Sequence, residues 1–155
     1  MKKFKLFSLL IIGLTALCIC CGRSKTENVD NEMGENLSAA DTTLAIKKAN
    51  EVMDLLKHND IAKALDKIYV IDSVGNPEKL SQESIEELTQ RFEMFPVKKY
   101  KLQRFYFKAW NNNLIDYMTE FYESDNPGAP NKIAVVFNPV RKDGEWYLTL
   151  KNTRQ

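Results

Sequence analysis

The chain has 155 residues, a length that favours a single domain with its own core. Lysine and arginine number 22 against 21 aspartate and glutamate, a balance that excludes the concentrated basic face nucleic acid requires. The three cysteines, Cys18, Cys20 and Cys21, all lie near the start and His58 is the only histidine, so the rest of the chain offers no disulfide, thiolate metal site or multi-histidine site. No metal or other cofactor is expected.

The first element is a leader. Lys2, Lys3 and Lys5 precede an almost wholly apolar run from Leu6 to Cys20, too short for a comfortable membrane span and about right for the apolar core of a signal peptide. A polar segment starts abruptly at Gly22. This boundary resembles a bacterial lipobox, in which a signal peptidase cuts before a cysteine that is then acylated. The motif departs from the usual order, since Cys18-Ile19-Cys20 precede Cys21 and Leu17-Cys18-Ile19 precede Cys20. Cutting before Cys20 would leave the bulky Ile19 at the scissile bond, so Cys21 is the expected lipidation site and Cys20 the alternative. The resemblance implies a signal peptide over residues 1–20 and covalent lipid on Cys21. The domain would then be anchored to the cell membrane or outer membrane and face the periplasm, with surface exposure left open. An ordinary signal peptide with incidental cysteines is the other reading. Without Lys2, Lys3 and Lys5 the mature chain carries 19 basic and 21 acidic side chains.

Residues 21–41 read as the lipidated cysteine and a disordered tether, because Gly, Ser, Thr, Asn and charged residues dominate and no apolar period emerges. Such a tether spans roughly 25 Å. The folded domain is expected over residues 42–155. Asp41, Thr42 or Thr43 can cap a helix to about Lys57, with Ala45, Ala49, Val52, Met53 and Leu56 on its apolar face. His58 at its end suits the helix dipole. Asp60 starts a second helix with the stripe Ile61, Ala64, Leu65, Ile68, folded back as a hairpin. Tyr69-Val70-Ile71 reads as a short strand or extended arm, followed by a turn at Gly75-Asn76-Pro77. Ser81 caps a third helix, with Leu80 and Ile85 as a hydrophobic staple, and Pro96 stops it.

Four strands follow: 98–110 with a bulge near Gln103-Arg104, 114–124, 132–140 and 146–151. Asp143-Gly144 marks the last hairpin. The expected fold is therefore α+β, three N-terminal helices packed on one face of a curved four-stranded antiparallel meander. The element order, with Asn59-Asp60 leading Ile61 to Ile68 and Asp143-Gly144-Glu145-Trp146-Tyr147-Leu148 at the last hairpin, resembles the nuclear transport factor 2-like superfamily, a cone-shaped α+β fold. A cystatin-like sheet with one helix is the runner-up. Together with the lipobox, the chain looks like a small bacterial envelope lipoprotein.

That superfamily contains isomerases and cyclases as well as members without chemistry, so fold does not settle activity. Alternation places Tyr117 inward with no strand carboxylate beside it, since Asp116 and Glu120 fall on the opposite face. The preferred reading is a non-catalytic domain binding a small apolar ligand or another envelope protein. Tyr69, Phe92, Phe107, Tyr117, Phe137 and Trp146 are the candidate pocket residues. The alternatives are an isomerase- or cyclase-type enzyme using the cone pocket, and a purely structural or interaction dimer. The outward parity could pair two copies through Tyr106, Met118, Tyr122, Val136 and Tyr147, residue types enriched at interfaces.

Overall fold

A computed structural model describes residues 37–108, 111–126 and 128–151. The leader, Cys20, Cys21 and most of the expected tether lie outside the described residues, as do Ala109 and Trp110 at the end of the first predicted long strand.

Helix α1 (Ala39–Lys57) begins earlier than the apolar period alone suggests. Ser38 and Asp41 form a reciprocal capping box: the Asp41 N–H donates to Ser38 Oγ at 3.2 Å, and the Ser38 N–H donates to the Asp41 carboxylate at 3.1 Å. Asp41 is thus an N3 residue rather than the cap, and Ala39 to Asp41 belong to the domain. Thr42, Ala45, Ala49, Val52, Met53 and Leu56 are buried, the face the period predicts plus one residue.

Two backbone bonds end the helix, Asn59 N–H to Leu56 O and Asp60 N–H to Leu55 O. They form a Schellman motif with Asn59 in the left-handed region, φ 63°. His58 Nδ1 lies 2.7 Å from Asp54 O, and the carbonyl can only accept, so Nδ1 carries the proton. This is the helix-terminal role expected of His58.

Helix α2 (Ile61–Asp66) is one residue group shorter than its stripe suggests, because Ile68 leaves the helix and opens strand β1 (Ile68–Ile71). Strand β2 (Pro77–Lys79) returns antiparallel to it. Helix α3 (Gln82–Met94) starts at the predicted cap, with the Ser84 N–H donating to Ser81 Oγ at 3.1 Å. Strands β3 (Lys99–Phe107), β4 (Asn113–Glu120), β5 (Lys132–Lys142) and β6 (Glu145–Leu150) complete the chain. The expected bulge in β3 is present, a register shift between Leu102 and Arg104.

The sheet differs from the expected four-stranded antiparallel meander. It has six strands in the order β2-β1-β6-β5-β4-β3, and it is mixed, because β1 runs parallel to β6. The α+β class stands; the meander is only its β3–β6 part. Two physical reasons account for the difference. Parallel partners Ile68 and Leu148 are far apart in sequence and share no turn, so local pattern carries no sign of their pairing. Strand β2 is three residues of low strand propensity, and it starts with Pro77, which an edge strand tolerates at its first position.

The core lies between one face of the sheet and the helices. Ala45, Ala49, Val52 and Met53 of α1 and Phe92 of α3 join Phe107, Ile115, Tyr117, Phe137, Trp146 and Leu148 from the strands. Each of β4, β5 and β6 alternates buried and partly exposed side chains through its central residues, as half-buried strands do.

Candidate functional site

Five of the six aromatic residues expected to line a pocket pack together as core. Phe107, Tyr117, Phe137 and Trp146 are almost wholly buried, and Phe92 is 4% exposed. Their rings meet edge to face, Phe107 on Trp146 at 5.5 Å and Tyr117 on Phe137 at 6.0 Å between centroids. Such pairs contribute about 0.5–1.5 kcal/mol beyond their burial. Tyr69 does not join them. It follows the core residue Ile68 by one position, so alternation turns it to the other face of the sheet, where it meets Tyr147 edge-on at 5.1 Å.

A polar seam runs from α1 to the sheet at the edge of this core. The Tyr117 hydroxyl donates to Asn50 Oδ1 at 2.6 Å, and the Tyr100 hydroxyl donates to Asp54 Oδ1 at 2.6 Å. Burial raises the pKa of both phenols, helped at Tyr100 by the hydrogen bond to Asp54, which pushes it up to about 12. Both are therefore neutral donors at neutral pH. Nothing in strand alternation points to Asp54, because α1 supplies it. The seam ties a helix to a sheet; its hydroxyls are already engaged.

Two grooves lie elsewhere, along the junction of β1 and β6. Only Ile68 with Leu148 and Tyr69 with Thr149 pair across it. The β6 edge is therefore uncovered on both sides of this short ladder, and a groove fills each gap. The first groove, about 290 Å³, lies between α1, the end of α2 and Tyr147. Its charges satisfy one another. Lys48 donates to Trp146 O at 3.0 Å and faces Glu145, Lys67 pairs with Glu51 at 3.3 Å, and Lys79 pairs with Asp66 at 2.9 Å. The Lys79 hydrogen bond lowers the Asp66 pKa and raises that of Lys79, which also sits 4.7 Å over the Tyr69 ring.

The second groove, about 360 Å³, lies between α3, β1 and the end of β6. Ile68, Val70, Ile71, Leu80, Leu88 and Leu150 give it an aliphatic side, within a lining that is polar in the larger part. Arg91, Ser84, Asn138 and Thr149 supply its polar walls. Both volumes fall near the lower end of the range for small-ligand sites, roughly 300–1,000 Å³. Of the expected pocket residues, Trp146 reaches the first groove and Tyr69 borders both. Leu88 lies within α3 and the parallel partner of β1 is distant in sequence, so nothing in the local pattern discloses a groove between them.

The residues expected on a dimer face are spread across the outer side of the sheet. Tyr122 is 42% exposed, while Tyr106, Met118, Val136 and Tyr147 are half-buried. Val136 stands opposite Asp116, whose ion pair with Arg104 at 3.1 Å crosses the same face.

Among the described residues no group of His, Cys, Asp and Glu is placed to hold a metal ion, and no helix is long and apolar enough to cross a membrane. The chain matches no protein-family model, and no curated protein matches it.

Proposed function

We propose that this chain is a membrane-anchored envelope lipoprotein whose folded domain is a non-catalytic binding module. The leader and Cys21 carry the anchoring half of this reading. The order of two helices, a strand arm, a third helix and long strands supports the likeness to the nuclear transport factor 2-like superfamily.

The observation that carries the binding half is where side chains leave room. The interior rings pack edge to face, and among the described residues a groove with an aliphatic side lies at the β1–β6 junction. A groove with an apolar floor and a few polar walls is the usual form of a small-ligand site. Acid–base chemistry has little support, because the two buried-edge phenols are raised in pKa and already bonded to α1.

Two or three acyl chains would hold the protein on a bilayer essentially permanently, at about 0.8 kcal/mol per buried methylene. Cells fed labelled fatty acid are expected to incorporate label into the full-length protein and to fractionate it with membranes. Cys21→Ala removes both. Label retained by that variant moves the anchor to Cys20 or ends the lipoprotein reading, and Cys20→Ala separates these outcomes.

A further inference from the structure

We propose that the groove between α3 and the β1–β6 junction binds an aliphatic carboxylate, with Arg91 taking the head group. The ligand class presupposes the binding-module reading above and narrows it.

The floor sets the tail. Val70, Ile71, Leu80, Leu88 and Leu150 are aliphatic, and none is fully buried. Val70 remains 40% exposed, so covering it gains hydrophobic free energy that folding leaves unclaimed. The ring described at the groove, Tyr69, meets Tyr147 in a T-shaped contact and carries Lys79 over one face, so much of it is already engaged. A flexible alkyl chain fits such a surface better than an aromatic one.

Arg91 sets the head. It lies in the last turn of α3, is half-buried, and its guanidinium makes no ion pair with another described residue. That distinguishes it from the lysines of the first groove, each of which has a carboxylate partner. A guanidinium presents two parallel N–H donors that match one carboxylate. Ser84 Oγ accepts from the Ser81 hydroxyl at 3.0 Å, which leaves its own proton free to donate to the head group beside Arg91. Glu87, exposed and one turn before Arg91, is the only carboxylate on the groove among the described residues. It would repel a doubly charged phosphate more strongly than a single carboxylate, and among the described residues no second cation lines the groove to offset that repulsion.

The test uses the chain from residue 22 onward, because every buried core residue among the described ones lies between Ala45 and Leu148. Decanoate is titrated by calorimetry at fixed salt, beside decanol and decyl phosphate. Decanoate is expected to bind best. Arg91→Gln weakens it about tenfold, the loss of a charge-assisted bond, and leaves decanol unchanged. Glu87→Gln strengthens decanoate binding. Val70→Trp, which fills the groove at an exposed position, removes both ligands while circular dichroism shows the fold retained. Decanol binding as tightly as decanoate, or Arg91→Gln leaving decanoate unaffected, overturns the carboxylate assignment and keeps the binding module. Decanoate and decanol both failing to bind overturns the groove as their site. Tighter decyl phosphate than decanoate replaces the head-group class.

Discussion

Ser38 shows how much one side chain decides here. Its capping box starts α1 before the residues that the apolar period marks, and it holds the Asp41 carboxylate below its ordinary pKa. Arg141, at 3.2 Å, adds to this. The Trp146 indole N–H makes no hydrogen bond of normal geometry, yet it lies near enough to Asp41 to help lower that pKa. A carboxylate with a lowered folded pKa stabilises the fold above its unfolded value of about 3.9 and loses that contribution as pH falls through the folded value. Ser38→Ala is expected to cost about 1 kcal/mol in urea unfolding at neutral pH. Asp41→Asn should flatten the fall of stability below about pH 4, and an unchanged acid limb would show that Asp41 has no such role. Asp72 has a similarly lowered pKa, chiefly from the Asn76 N–H, so some acid dependence should survive that variant.

Tyrosine acts in the opposite pH range. Tyr100 is neutral when protonated and its folded pKa is raised, so its contribution is complete below the unfolded value of about 10 and fades as pH rises through about 12. Tyr100→Phe should therefore remove part of the alkaline loss of stability, measured by thermal unfolding across that range. Tyr117→Phe strands the Asn50 carbonyl at a half-buried site and is expected to cost about 1 kcal/mol.

At the scale of elements, the weakest join is the two-residue ladder between β1 and β6. Strands β3, β4, β5 and β6 are tied by long antiparallel ladders, so local opening should start at the β1–β2 hairpin. Hydrogen exchange is expected to be faster at Val70 and Ile71 amides than at Tyr117 or Val135, and equal protection would contradict this. The far edge is guarded differently. Lys99 and Lys101 project from β3, and its bulge bends it, features that discourage edge pairing with another chain.

The contrast between these regions also explains what could be read from sequence. The faces of α1, the cap of α3, the bulge in β3 and the alternation of β4 to β6 all follow local periodicity, and all are present. Strand β1 was visible only as Tyr69-Val70-Ile71, without its parallel partner, and β2 not at all. The candidate site was hardly legible for the same reason. Large aromatic side chains on the inward parity suggest a pocket, but the same residues fill a core when their rings interlock. A groove is space left where pairing stops, and pairing between distant segments leaves no local trace.

At the scale of the molecule, core and groove make different demands. Phe137 is fully buried against Tyr117, so Phe137→Ala should cost about 3–5 kcal/mol without altering any edge groove directly. The grooves lie where the sheet is thinnest in pairing, and they can change occupancy without reopening the core. A bound ligand is expected at the β1–β6 edge and not in the aromatic interior. Methyl-labelled NMR of the chain from residue 22 with decanoate tests it most directly. Intermolecular contacts are predicted from the alkyl chain to Val70, Ile71, Leu88 and Leu150. Contacts to Ile115 and Val135 with none at the edge would place the ligand inside the core and contradict the account.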